Sequence, residues 1–230
     1  MFSWLRRHDQ PEFVRAYAAG PWPAPRTPWR EVEYAVLDVE TSGLDPRRDA
    51  LLAIGLVAIE AGRIRLDRRW STLVRPPDGL LVGGDSIRIH GLLRADLAAA
   101  PPPDEVLPEL LARLRGRAMV VHVASIDVGF LNAALRARYG ARLRGPILDT
   151  ARIAMNLHER AQLIGEAPQG APAPPTQLRS LAERLGLPVF AEHDALGDAL
   201  TTAQVFLAQA TWLEQRGAGT LRGLLRAGGV

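Results

Sequence analysis

The 230-residue sequence contains no cysteine. Disulfides and thiolate metal sites are therefore excluded, which leaves carboxylates and histidines as the side chains suited to holding a metal ion. It contains no lysine either, so all 28 side chains counted as Lys and Arg are arginine. Arginine's planar fork suits phosphate, but a formal net charge of +3 is equally what ordinary surface arginine gives. No apolar run approaches the ~20 residues needed to span a bilayer, so no membrane association is expected. The opening Met1-Phe2-Ser3-Trp4-Leu5-Arg6-Arg7 is not followed by an apolar stretch and a small-residue cleavage site, and a cytoplasmic location is the expectation.

Three segments are expected. Residues 1–30 form an extension in which Phe13, Val14 and Tyr17 share one face of a short helix, followed by the Pro-rich linker Gly20-Pro21-Trp22-Pro23-Ala24-Pro25. Residues 31–216 form the main domain, and residues 217–230, rich in Gly and Arg, a flexible tail. Within the domain, Tyr34 to Leu37 predicts a buried strand, Leu51 to Ile59 a second, and Ile64 to Val74 a third, with a hairpin turn at Ala61-Gly62. This is an antiparallel meander, closed by Pro76-Pro77-Asp78-Gly79.

The period then becomes helical. Asp104 and Glu105 open a helix whose face is Val106, Leu107, Leu110, Leu111 and Leu114. Met119 to Val121 is a fourth strand, Ser125 a cap for the next helix, and Ile147-Leu148 a short fifth strand before a helix over 149–159. Residues 161–176 predict a long mobile loop. Thr176 is placed to cap a short helix, and a last long helix runs from about Asp194 to Gln215. A meander followed by alternating strands and helices fits an α/β sheet with one antiparallel strand.

Chemistry concentrates at three points. Asp38 and Glu40 lie two apart at a strand end and so share a face. Their repulsion costs energy unless a cation holds them together, although two solvated acids at a turn give the same letters. Asp127 follows a buried strand in the first turn of a helix, where an acid also simply favours the helix dipole. His122 at the strand end reads as a satisfied core histidine. Asp198 is a charge in the small, apolar segment Ala195-Leu196-Gly197-Asp198-Ala199-Leu200, and if the helix begins near Asp194, His193 can fold over it from the preceding loop. Four carboxylates at strand ends and helix starts, where an open α/β sheet has its ligand crevice, suit a pair of hard divalent cations. A histidine of near-neutral pKa suits proton transfer beside them.

These motifs closely resemble those of the DEDDh exonucleases, the DnaQ-like family that includes the proofreading epsilon subunit of bacterial DNA polymerase III, RNase T and oligoribonuclease. The resemblance runs over about residues 33–213 and rests on Leu37-Asp38-Val39-Glu40-Thr41-Ser42-Gly43-Leu44-Asp45, on His122 to Leu131, and on His193-Asp194-Ala195-Leu196-Gly197-Asp198-Ala199, with His90-Gly91-Leu92 and Leu148-Asp149-Thr150 as lesser matches. It implies a ribonuclease H-like fold: a five-stranded mixed sheet, with a three-strand antiparallel meander plus parallel strands, flanked by helices. It implies 3′→5′ hydrolysis of single-stranded nucleic acid, DNA favoured, releasing nucleoside 5′-monophosphates with two Mg²⁺ or Mn²⁺ ions. Asp38, Glu40 and Asp198 would hold the metal pair, with Asp127 ligating directly or through water, and His193 would be the general base.

By the same resemblance Thr41, Gly43 and Leu44 would lie under the terminal nucleotide, with His90 bordering its pocket. Leu44 and Phe130 would wedge against bases, with simple core packing as the alternative for each. Two departures stand out: Val123 replaces the family's Asn after His122, and Ile126 its Phe before the aspartate. The partners implied are single-stranded DNA or RNA 3′ ends, with a DNA polymerase as a candidate. The alternatives are an RNase T- or oligoribonuclease-like RNA exonuclease and a non-catalytic, polymerase-associated nucleic-acid-binding module. The short tail carries no convincing polymerase-binding motif, which favours a stand-alone nuclease.

Overall fold

The structure, a computed structural model, describes residues 10–80, 90–190 and 193–230. The first nine residues of the expected extension lie outside that range. Five strands form one mixed sheet: β1 (Tyr34–Thr41), β2 (Leu51–Glu60), β3 (Arg63–Leu73), β4 (Ala118–Val121) and β5 (Ile147–Asp149), in the order β3-β2-β1-β4-β5. β1, β2 and β3 pair antiparallel, and β4 and β5 join parallel beside β1. The β2–β3 hairpin turns on Ala61 and Gly62, both with positive φ, as a tight two-residue turn requires. β1 opens on an unbroken apolar run, Tyr34 to Leu37, because helices cover both of its faces.

Alternation along β1 sorts those faces. Ala35, Leu37 and Val39 point into one core with Val106, Leu110, Leu131 and Leu135. That layer comprises α1 (Glu12–Ala18), α2 (Arg94–Ala99), α3 (Pro103–Leu114) and α4 (Ala124–Tyr139). Tyr34 and Val36 point the other way, into a core with Ile153, Phe206, Leu213 and Leu224. That face carries α5 (Thr150–Leu163), α6 (Leu178–Arg184), α7 (Ala195–Gln215) and α8 (Leu221–Gly228). By parity Asp38 and Glu40 belong to this second face, the face of α7.

Several expectations on local structure are corrected. The tail is not loose: Thr220 caps α8 by accepting from the Gly223 N–H, and Leu221 and Leu224 are fully buried. Burying each leucine is worth roughly 1.5–3 kcal/mol, enough to order a short helix. The N-terminal linker is not a loose spacer either. The Trp29 N–H donates to the Gly219 carbonyl, Leu221 N–H to Thr27 and Arg222 N–H to Pro25, so the two ends of the described chain clasp one another. Val14 and Tyr17 of α1 are core residues, and the Tyr17 hydroxyl both donates to the Arg144 carbonyl and accepts from its N–H. α5 runs four residues past the expected Glu159, to Leu163. Neither Ser125 nor Thr176 caps its helix: Val123 and Gln177 hold the cap positions, without side-chain hydrogen bonds.

Candidate active site

The site lies at the C-terminal end of β1. Asp38 faces Gly55 and Glu40 faces Ala53 across the β1–β2 ladder, and the register slips between Glu40 and Thr41, the last residue of the strand. The loop that follows is closed by Ser42, whose N–H donates to the Ala50 carbonyl and whose hydroxyl accepts from the Ala50 N–H. Inside it the Asp49 carboxylate accepts from the Asp45 N–H and packs against Gly43, where any larger side chain would collide with it. The Thr41 hydroxyl donates to the Gly43 carbonyl at 2.7 Å. Leu44 stands at the crest, 78% exposed. An apolar side chain held out by a fixed turn is a surface, not a piece of core.

α7 supplies the third acid. Asp194 caps it by accepting from the Gly197 N–H at 3.0 Å, and the preceding His193 has φ +57°, so the chain doubles back at the helix start. In that geometry the His193 N–H donates to Asp198 Oδ2 at 3.0 Å. Oxygens of Asp38, Glu40 and Asp198 then lie within 4.8 Å of one another. The structure therefore brings these three sequence-predicted acids together, with His193 on the same turn as Asp198.

Asp127 is placed differently. It is 2% exposed, and its Oδ1 accepts from the Val39 N–H at 3.1 Å. β4 pairs with β1 only as far as Val36, so Val39 lies past the last ladder partner on that side and the carboxylate takes its N–H. Asp127 lies outside the three-acid cluster but near enough to raise the Asp38 pKa. Burial and then the surrounding acids Asp127, Asp198, Glu40 and Asp194 push Asp38 well above the usual carboxylate range. Glu40 is pushed up to about 7 by burial, then by Asp198 and Asp194. Burial also raises Asp127, against the two backbone hydrogen bonds it accepts. Converging oxygens whose ionised forms repel one another are what a hard divalent cation relieves, so the donor set fits Mg²⁺ or Mn²⁺.

Beside Glu40 a pocket of about 300 Å³ opens between His193, His90, Leu92, Ile54 and Thr72. That volume is at the lower end of small-molecule sites. His90 Nδ1 accepts from the Leu92 N–H, and burial followed by the nearby His193 lowers the His90 pKa. Phe130 is not brought to this pocket. It is 2% exposed and lines a separate cavity with Pro46, Leu51 and Ala134, as core packing requires. His122 is a satisfied core histidine: Nε2 donates to the Thr176 carbonyl and Nδ1 accepts from the Thr150 hydroxyl at 2.7 Å.

Two residues that the sequence marked without giving them a structural role support the site. Asp149 is buried, and its carboxylate accepts from the N–H groups of Val123, Ala124 and Ala151, tying the starts of α4 and α5 together. An acid between a strand and a helix start was the available signal. Val123 holds a left-handed conformation (φ +60°, ψ +66°), which is costly for a β-branched residue and easier for the Asn expected there.

The fold and site define a nuclease of the ribonuclease H-like type, with an acidic centre at the end of the first strand. A sequence model of the exonuclease family, RNase T, matches residues 35–206. The chain belongs to this family, the DnaQ-like 3′→5′ exonucleases. It is 34% identical over 177 residues to the PolC-type DNA polymerase III of Thermotoga maritima, a match covering 77% of this chain but only 12% of that protein. It is 28% identical to the DNA polymerase III subunit epsilon of Aquifex aeolicus, covering 76% of this chain and 78% of that one. Among solved structures, the nuclease domain of 3′hExo, a DEDDh family member bound to rAMP, superposes with TM-score 0.61 at 14% identity, covering 84% of this chain and 97% of that one. Escherichia coli exonuclease I in complex with a dT13 oligonucleotide gives 0.64 at 15% identity, covering 81% and 42%. Among the described residues no helix is long and apolar enough to cross a membrane.

Proposed function

We propose that the chain removes nucleotides one at a time from the 3′ end of single-stranded nucleic acid, DNA in preference to RNA, releasing nucleoside 5′-monophosphates. The observation that carries this reading is the convergence of Asp38, Glu40 and Asp198 within 4.8 Å, with His193 on the Asp198 turn. Asp38, Glu40 and Asp198 would hold two Mg²⁺ or Mn²⁺ ions, with Asp127 directly or through water. When bound, such ions supply positive charge that offsets the charge developing on the phosphate in the transition state. His193 is exposed at the mouth of the pocket and takes the proton of the attacking water on its imidazole. His193 meets that pocket from the positive-φ position just before α7, not from within the helix. Thr41 and Gly43 hold the turn beneath the terminal nucleotide, Leu44 offers its exposed side chain to a base, and His90 borders the sugar and base in the pocket.

A polymerase partner is the second reading, favoured by the likeness to PolC-type and epsilon proteins of DNA polymerase III. In either setting a cytoplasmic location is proposed. The test is a time course on 5′-labelled, matched DNA and RNA oligomers with Mg²⁺, Mn²⁺ or EDTA. Stepwise 3′ shortening that needs metal, is faster on DNA and is lost in Asp38→Ala is expected. Intact oligomers with Mn²⁺ would overturn the enzymatic reading and leave a binding module, detected by retention of a polymerase subunit on the immobilised chain.

A further inference from the structure

We infer that Gly55, which belongs to none of the sequence motifs, is a positioning residue that sets the spacing of the carboxylate centre by letting the first turn of α7 rest directly on the sheet. The inference rests on the metal-centre reading above. Gly55 is the ladder partner of Asp38, so its missing side chain would project from the same face as that carboxylate. A methyl group there would overlap the Ala195 carbonyl carbon and oxygen and the Leu196 nitrogen. These are backbone atoms of a helix start and cannot swing aside as the end of a side chain can.

The turn that meets Gly55 moves as a unit. Asp194 binds it to Gly197, and Asp198 binds it to His193 through the His193 N–H. Any substitution at 55 must therefore lift Asp198 and His193 together away from Asp38 and Glu40. Gly55 has no positive φ, so its absent Cβ answers to space alone. Gly223 meets a comparable backbone overlap, with Ala218, at the far helix α8.

A lifted Asp198 widens the centre. Mg²⁺ demands near-ideal octahedral geometry at short distance, while Ca²⁺ accepts longer and more variable ligand distances. Lifting the turn therefore costs Mg²⁺ binding more than Ca²⁺ binding, a signature that general destabilisation lacks. Calorimetric titration of Mg²⁺ and Ca²⁺ into the full chain tests this in wild type, Gly55→Ala and Gly223→Ala. For Gly55→Ala, Mg²⁺ affinity should fall at least ~10-fold and Ca²⁺ affinity less than ~3-fold, with kcat reduced and KM for a dT oligomer nearly unchanged. Gly223→Ala should lower stability and leave the Mg²⁺/Ca²⁺ ratio as in wild type.

If Gly55→Ala does not fold, Ala199→Val lifts the same turn from the helix side, since Ala199 is fully buried one turn before the sheet-packed Ala203. Equal losses for both ions, or Mg²⁺ affinity and kcat kept in a folded variant, overturn the positioning role. A wild-type chain that binds neither ion overturns instead the metal-centre reading on which it stands.

Discussion

At the scale of single residues, the candidate site is a set of acids held at an energetic disadvantage. Glu40 moves from its ordinary 4.5 to about 7, and Asp38 and Asp127 are also raised. A raised folded pKa means that the folded chain holds protons the unfolded chain has lost. The associated stability is fully present below the unfolded value and is lost as pH rises through the folded one. For Glu40 alone, metal-free protein should lose on the order of 3 kcal/mol between about pH 4.5 and 7. Urea midpoints measured in EDTA across that range check the slope. Asp38→Asn should flatten it and raise the pH 8 midpoint while abolishing hydrolysis; a lower midpoint would contradict buried repulsion as the cause. Val123 is a second residue under strain. Val123→Asn should raise Tm by about 2–4 °C, since Asn tolerates the left-handed region far better, and an unchanged or lower Tm would show that the valine side chain compensates.

At the scale of elements, helix starts do the assembling. Asp149 serves three N–H groups at the starts of α4 and α5, and α4 carries Asp127. Asp149→Ala leaves those donors without their acceptor, at about 1–3 kcal/mol for each one that water cannot reach. Denaturant unfolding should therefore show a loss of several kcal/mol, with Asp149→Asn between it and wild type. The candidate motifs stood out in the sequence because each sits at a junction: Asp38 where an apolar run ends, His193 just before a helix start. The sequence hid the supports. Ser125 has the chemistry of a cap, but the cap comes from Asp149, a residue 24 positions away that only the pairing of β4 with β5 brings near. For Asp127 the sequence offered a metal ligand or a first-turn acid favouring the helix dipole, with no sign of its burial, which arises because β1 outruns β4 and leaves the Val39 N–H to be satisfied. Local periodicity carries no information on where one strand outruns another.

At the scale of the whole molecule, Trp29, Val32 and the C-terminal α8 close the face that carries α7. Leu224 is fully buried in that core, and Leu224→Ala should cost about 2–5 kcal/mol by denaturant unfolding, a loss no disordered tail would show. The tail was misread because glycine is its commonest residue, while the repeat of Leu221, Leu224 and Ala227 spans barely two turns. The antiparallel succession of the first three strands was legible from the meander, but the place of β4 and β5 beside β1 was not. The clasp between residues 25–29 and 219–222 was not, because its hydrogen bonds join backbone groups and leave no mark in the residue types.

The outer strand β3 has one further consequence. Leu56 pairs with Trp70 and Ala58 with Arg65, so four residues, Leu66 to Arg69, stand opposite the single Val57. The outgrowth breaks the row of amide groups along that margin and studs it with the exposed Arg68 and Arg69. At the other margin Gly229 bridges to Leu148 and covers β5. A second copy of the chain, or a growing fibril, meets no long, flat, uncharged strand on which to add itself, so the sheet resists self-association by recruitment at either border.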